Sequence, residues 1–279
     1  MYETHFGLQE APFALTPNTR YFLRARSHND ALELLLVALR EREGFIKITG
    51  EVGTGKTLLC RLLLNKLEKR AYTAYIPNPS LTPETLYAAV AEELGVDVSA
   101  CANTHQILKT LNERLIALTM QKRRVILVID EAQAMPEETI EALRLLTNLE
   151  TESTRLLQVV LFGQPELDEL LHRKSLRQLR QRITFQYELA PLDKVLVAQY
   201  LRHRLAQAGY NGGDLFSSAA TRLIARASGG IPRLVNIIAH KSLLAAWGRG
   251  ERQINRAHVM SAIRDTESAR LPNLLARWL

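Results

Sequence analysis

The pattern of apolar and polar positions divides the chain at Pro191. Before it, short apolar runs rich in β-branched residues alternate with longer segments whose apolar residues recur every three or four positions, the signatures of strand and helix. Residues 1–27 follow neither period: Phe6, Pro12, Phe13, Pro17, Tyr21 and Phe22 are scattered among polar residues, which predicts an irregular strap lying on the core. Residues 29–42 then predict a helix, 44–50 (GFIKITG) a strand, 57–70 a helix and 71–77 (AYTAYIP) a second strand. A helix after residue 80 has Ser80 or Thr82 as its cap and Pro83 in its first turn, and another spans 105–120. RRVILVIDEAQ, residues 123–133, is too short and too β-branched for a buried helix and predicts a central parallel strand covered on both faces. A helix over 137–149, a strand over 156–164, one basic helical stretch over 169–182 and a last strand over 183–189 complete this part.

Beyond Pro191 every segment is helical: 193–209, 217–228, 232–248 and 255–266. The fold class is therefore α/β, a parallel sheet flanked by helices, followed by a C-terminal all-helical lid. The expected boundaries are a strap at 1–27, an α/β core at 28–190, a helical lid at 191–268 and an amphipathic tail at 269–279. In the tail, Leu271, Leu274, Leu275, Trp278 and Leu279 recur at the spacing of one helix face, with Arg270 and Arg277 beside them. Such a stripe suits another subunit, a membrane protein, the bilayer surface or the protein's own lid.

Charge sharpens the division. Of 36 basic and 29 acidic side chains, 13 basic and 5 acidic ones lie beyond residue 190, so the net charge of +7 belongs to the lid. A basic lid fits nucleic acid, phospholipid head groups or an acidic protein, and also a plain solvated face. The two cysteines, Cys60 and Cys101, have no CxxC partner and are read as reduced thiols. His172, His203 and His240 stand singly in helical segments without metal-ligand spacing. No apolar run is long enough to span a bilayer, and MYETHFGLQE lacks the basic-then-apolar order of a signal peptide, so a cytoplasmic protein is expected.

The chemistry is concentrated at two strand ends. Gly50, Glu51, Val52, Gly53, Thr54, Gly55, Lys56 and Thr57 form G-x-x-x-x-G-K-T between a strand and a helix, with Leu58 following. The glycines permit a tight loop whose amides point at phosphate oxygens, and the helix adds the positive end of its dipole. Lys56 can then reach the β- and γ-phosphates, and Thr57 offers a hydroxyl to Mg2+. Asp130 and Glu131 end the second apolar strand at the sheet's carboxyl edge, where open α/β sheets place ligands. There Asp130 can hold the magnesium hydration shell and Glu131 can polarise the water that attacks the γ-phosphate. Taken alone the two acids could simply cap the next helix.

In their order and spacing, GEVGTGKT, VILVIDEAQ, VLFGQPEL, LRQRITF and GGIPRLVN resemble the AAA+ ATPases related to general secretion pathway protein A, and the opening FGLQEAPFALTPNTRYF resembles that group's N-terminal signature. The resemblance implies a P-loop AAA+ core that binds ATP and Mg2+ against the lid and hydrolyses ATP in a ring-like homo-oligomer, a hexamer by preference. It implies that Gln164 is the sensor 1 residue, that Arg182 is an arginine finger presented to a neighbour's nucleotide, and that Arg233 is the sensor 2 arginine. Arg177 and Arg180 are rivals of Arg182, and the basic run from Arg173 to Arg182 could equally be a solvated or nucleic-acid-facing helix. Gln164 could be a turn residue before Pro165, and Arg233 a plain helix start after Pro232. The resemblance also puts Pro12, Phe13 and Tyr21 where such proteins close around adenine, against the alternative that they only pack.

What the ATPase would serve follows from the same resemblance: assembly of a type IV, MSHA-like pilus or of a secretion apparatus, through an inner-membrane partner. Longer members continue into a transmembrane helix and a periplasmic part, whereas this sequence ends at Leu279, so contact with the cell envelope is expected through a partner. A DNA-associated ATPase of the transposition-helper or loader type is the second reading, less favoured because no base-reading module is evident. A nucleotide switch with little turnover is a third.

Overall fold

A computed structural model describes residues 1–147, 150–151 and 154–270 of the chain. The chain divides into two units, one of Arg26–Gly50 and Lys56–Leu189, the other of Met1–Ala25, Glu51–Gly55 and the region from Ala190 onward.

The first unit is built on the apolar runs. Strands β1 (Phe45–Thr49), β2 (Ala71–Ile76), β3 (Arg124–Ile129), β6 (Gln158–Gly163) and β7 (Ile183–Glu188) form one sheet in the order β2-β3-β6-β1-β7, every pair parallel. A two-residue hairpin, β4 (Glu150–Thr151) and β5 (Thr154–Arg155), precedes β6. The runs without alternation, β1, β3 and β6, are the inner strands; in β7, Ile183, Phe185 and Tyr187 are half-buried while Thr184, Gln186 and Glu188 are exposed, as an edge strand requires. Successive residues of a strand point to opposite faces. Ile46, Ile48, Ile126, Val128, Val160 and Phe162 accordingly pack with helices α2 (Arg26–Arg40) and α3 (Lys56–Leu67) on one face. Phe45, Val125, Leu127, Ile129, Val159 and Leu161 pack with α4 (Pro83–Glu93), α5 (Thr104–Met120) and α6 (Glu137–Leu146) on the other. Thr82 caps α4 through its side chain, with Pro83 at the first helical position, and Asn103 caps α5.

One expected element is broken. The basic stretch over 169–182 is not a single helix but α7 (Glu166–Leu171), a 3-10 turn at Lys174–Leu176 and α8 (Arg177–Arg182). The break lets Leu167, Leu171, Leu176 and Leu179 all enter the core, which one straight helix could not arrange.

In the second unit α9 (Lys194–Gln207), α10 (Ser218–Ser228), α11 (Pro232–Trp247) and α12 (Arg256–Arg264) share a core with the N-terminal segment. That segment holds a one-turn helix, α1 (Glu3–Phe6), and a 3-10 turn at Thr19–Tyr21. The amphipathic stripe at 271–279 lies outside the described residues.

Candidate functional site

Because the strands are parallel, their carboxyl ends share one edge of the sheet, and the loops leaving β1, β3 and β6 carry the residues singled out from the sequence. The loop after β1 turns on left-handed glycines, Gly53 at φ 83° and Gly55 at φ 105°, a region that costs other residues about 1–2 kcal/mol. A second reason holds at Gly53: a Cβ there would lie 2.5 Å from the Cβ of Arg233 and 3.2 Å from Cγ2 of Ile231. The Arg233 amide donates to the Gly53 carbonyl at 3.2 Å, so the start of α11 is seated on the loop backbone while the guanidinium side is exposed. Within the loop the Thr54 hydroxyl donates to the Glu51 carbonyl at 2.8 Å, and Thr54 is fully buried. Glu51 and Val52 are exposed at the tip, and Leu58 is half-buried at the start of α3.

Lys56 is only 4 % exposed, and its ammonium donates to the Gly50 carbonyl at 2.7 Å, curling over the loop. Thr57, one residue on, directs its hydroxyl to Asp130. Asp130 continues the β3 ladder, its amide donating to Ile76, and is 3 % exposed. Burial raises its pKa, against the opposing pull of Thr57, the Glu131 amide and the Lys56 charge. A desolvated carboxylate of this kind is an anion short of a cation. Magnesium in phosphate sites is held by one or two carboxylates together with water and substrate phosphate. One buried carboxylate beside one hydroxyl fits that demand, whereas among the described residues no cluster of three or more His, Cys, Asp and Glu offers an all-protein metal cage.

Glu131 stands in the left-handed region at φ 52° and ψ 38°, a non-glycine outlier of the sort that persists only where neighbours hold it. Its amide donates to Oδ1 of Asp130 at 3.0 Å, and one carboxylate oxygen, Oε2, accepts two amide donors: Nε2 of Gln133 at 2.6 Å and Nε2 of Gln164 at 2.9 Å. Burial pulls the Glu131 pKa upward, but the hydrogen bonds from Gln164 and Gln133 and the Lys56 charge outweigh it, and the net shift is downward. Glu131 is thus an ionised carboxylate at neutral pH. Gln133 also accepts from the Gln164 backbone amide at 3.0 Å, so it ties the ends of β3 and β6 together. Sequence reasoning passed over Gln133: only the 3-10 turn at Ala132–Ala134 folds its side chain back onto the acid two residues earlier.

Lys56, Thr57, Asp130, Glu131 and Gln164 therefore meet at one edge. Arg182 does not. It precedes β7, whose residue Ile183 pairs with Phe45 at the start of β1. The five-residue β1 separates that level from the phosphate loop by roughly 15 Å at about 3.3 Å per residue. Half-buried Arg182 donates to the Thr147 hydroxyl at 3.2 Å, while Arg177 and Arg180 are exposed. Pro12, Phe13 and Tyr21 are buried in the helical unit. Phe13 meets Phe216 edge-on, and the buried Arg204 donates to the Pro12 and Ala14 carbonyls and lies over the Tyr21 ring. This cation explains the irregular opening: its guanidinium satisfies carbonyls that a strap without secondary structure leaves unpaired.

Residues 39–171 match the family described as AAA domain. General secretion pathway protein A of Aeromonas hydrophila is 42% identical over 271 residues, which cover 95% of this chain and 49% of that protein, so the chain spans about half the length of this curated relative. Among solved structures, the ORC2 protein of Aeropyrum pernix in ADPNP-ADP complexes superposes with a TM-score of 0.69 at 17% identity, covering 97% of this chain and 75% of that one. The Aeropyrum pernix ORC1 protein in complex with DNA gives a TM-score of 0.69 at 24% identity, over 92% and 69%. These likenesses give the chain the P-loop AAA+ fold.

Proposed function

We propose that this chain is an ATP hydrolase that binds Mg-ATP on the Gly50–Thr57 loop and works as a ring-like homo-oligomer, hexameric by preference. The observation that carries the reading is one edge of one sheet holding a phosphate loop with its lysine, a buried Asp130 bonded to Thr57, and an ionised Glu131 clamped by two glutamine amides.

In this reading the loop amides and the dipole of α3 receive the β- and γ-phosphates. Lys56 exchanges the Gly50 carbonyl for phosphate oxygens, a short swing for an ammonium already curled over the loop. Mg2+, held by Thr57 and Asp130, would supply Lewis-acid neutralisation of phosphate charge. Glu131 accepts the proton of the attacking water, and Gln164 sets the direction of that carboxylate and of the water. Arg233, seated beside Gly53, leans on the phosphates as sensor 2. Arg182 acts on the nucleotide of a neighbouring copy, a duty that suits a permanently charged planar fork. Its distance from its own loop supports action in trans, because no side chain spans a whole strand length.

The test is steady-state phosphate release. Lys56→Ala abolishes nucleotide binding; Glu131→Gln retains binding and loses turnover; and Arg182→Ala loses turnover but recovers part of it when mixed with Glu131→Gln, since each variant supplies what the other lacks at shared interfaces. Turnover of Glu131→Gln equal to that of the native protein would instead support a nucleotide switch.

The work driven by this cycle is assembly or regulation of a secretion apparatus or an MSHA-like type IV pilus, in the manner of the MSHA pilus biogenesis ATPase MshM, at the inner membrane's cytoplasmic face. The 42% identity to general secretion pathway protein A supports this side. A DNA-associated role would draw on the exposed arginines of the helical unit, among them Arg249, Arg252, Arg256 and Arg264. Duplex DNA that bound with steep salt dependence and accelerated hydrolysis would favour it.

A further inference from the structure

The parallel topology collects a second set of residues at the opposite, amino-terminal edge of the sheet. Each strand there is entered from a basic lead-in, and between β1, β3 and β6 these leads surround one depression: Arg42 before β1, Lys122, Arg123 and Arg124 at the start of β3, and Arg155 before β6. Among the described residues no acidic side chain lines it, although Glu43 approaches Arg155 at 3.8 Å and Glu150 stands opposite Arg155 in the β4–β5 pair. Arg42, Lys122, Arg123 and Arg124 have no carboxylate within 4.0 Å among the described residues. Two of the guanidiniums are nonetheless fixed, Arg124 by the Leu39 carbonyl at 3.1 Å and Arg123 over the Tyr72 ring. Neighbouring strands lie about 4.8 Å apart, inside the roughly 8 Å screening length of physiological salt, so these charges add.

A second observation falls on the same edge. The helices that feed the strands end there, and outside the phosphate loop every large apolar side chain described as exposed in the α/β unit sits near such an end: Val37 on α2, Ile116 and Met120 on α5, and Leu145 on α6. Met120, the last residue of α5, is 80 % exposed two positions before Lys122. None of these is needed by the chemistry at the carboxyl edge. Cations alone would suit a nucleic-acid backbone, but Arg42, Lys122, Arg123 and Arg124 set beside exposed apolar tips match a layer in which phosphate heads overlie acyl chains.

We infer that the amino-terminal edge of the sheet is a membrane-docking surface that takes the head groups of anionic phospholipid through Arg42, Lys122, Arg123 and Arg124 and inserts Met120 below them. The surface lies at the other end of the strands from Lys56 and Glu131, and Arg182, at the start of the edge strand β7, is outside its lining.

The test is flotation of the full chain with vesicles of phosphatidylcholine, with and without phosphatidylglycerol. The expected result is binding only when phosphatidylglycerol is present. Each removed cation weakens it about fivefold, so that Arg42→Gln with Lys122→Gln loses about 25-fold. Both side chains are exposed, and unchanged thermal unfolding and nucleotide affinity verify the fold of the variant. Met120→Ser weakens vesicle binding further, and Arg249→Gln with Arg252→Gln, an equal loss of charge on the helical unit, leaves it unchanged. Equal binding to neutral vesicles, equal losses from the two charge pairs, or no loss from Met120→Ser would each overturn the proposal. So would duplex DNA binding that disappears in Arg42→Gln with Lys122→Gln while the native chain ignores phosphatidylglycerol, which would make the edge a nucleic-acid surface.

Discussion

Replacing Gln133 by alanine tests the clamp on Glu131 directly. The substitution removes the 2.6 Å amide bond to Oε2 and leaves the Gln164 backbone amide without the acceptor it has at 3.0 Å. A hydrogen bond to a charged group contributes about 1.5–3 kcal/mol, and orphaning a donor costs about 1–3 kcal/mol where water cannot reach it. Glu131 is half-buried and keeps the 2.9 Å bond from Gln164, so the lower end applies. If about 1.4 kcal/mol of that alignment is expressed in the transition state, kcat falls about tenfold. KM stays unchanged, because Gln133 is bonded to Glu131 and Gln164 and not to the phosphate loop. Steady-state phosphate release measured over a range of ATP concentrations gives both quantities. Gln133→Glu adds a readout that a purely structural role would not move. A carboxylate in place of the amide exchanges a hydrogen bond that lowers the Glu131 pKa for a like charge that raises it. The acidic limb of the pH–rate profile then shifts to higher pH. An unchanged or increased kcat in Gln133→Ala, or an unshifted profile in Gln133→Glu, refutes the reasoning.

Three further outcomes are expected. Asp130→Asn raises the melting temperature of the nucleotide-free protein at neutral pH, because burial holds the Asp130 carboxyl above its ordinary pKa and its ionised form opposes folding; that penalty appears as pH rises from the unfolded value of 3.8 through the folded one, so the gain shrinks in acid, and a lowered melting temperature at pH 7 contradicts the account. Gly53→Ala costs the left-handed strain of about 1–2 kcal/mol plus the displacement of Arg233, whereas Gly7→Ala, at φ 70° with nothing within 4 Å, costs the strain alone, so denaturant unfolding should separate the two variants and equal losses would remove the close-packing argument. His203, through burial and the Arg204 charge, and His240, through burial, have pKa values below the ordinary 6.5, so both hold neutral imidazoles whose contribution is present above that pH and lost as pH falls through their folded values; thermal unfolding should show a stability loss on going below about pH 6.5, smaller in His240→Gln, and a flat profile there would rule it out.

The order of elements was legible because each inner strand is a continuous apolar run and each helix carries its own period, as in RVILVI over β3 or the Thr82–Pro83 start of α4. The phosphate loop was legible because its chemistry demands adjacent residues. What the sequence hid is in each case a matter of which distant segments share space. Gln133 reaches back through a 3-10 turn to Glu131 and across to Gln164, a link between residues 31 apart. Arg204 supports Pro12 and Ala14 from 192 and 190 residues away, so the period of α9 alone gave no hint that one of its arginines is buried.

The parallel sheet accounts for the most consequential of these hidden relations. A parallel strand can only be re-entered from the end where its neighbour began, so every connection must return the chain to one edge before the next strand starts. Local habits of the sequence, a basic residue or two after a helix and an apolar residue in its last turn, are thereby added together at that edge across β1, β3 and β6. The same rule sends every strand's exit to the other edge, where Lys56, Asp130, Glu131 and Gln164 assemble. The two edges are held apart by the length of a strand, so under the proposed function one handles phosphoryl chemistry while the other binds a surface, and Arg182 lies a strand length from the Gly50–Thr57 loop of its own subunit. An arginine so placed is useful to hydrolysis only if a second copy lies against it. The assembled state should therefore turn over ATP faster per subunit than the dilute chain, and a specific activity independent of protein concentration, measured across the range where assembly occurs, would leave Arg182 without the role assigned to it.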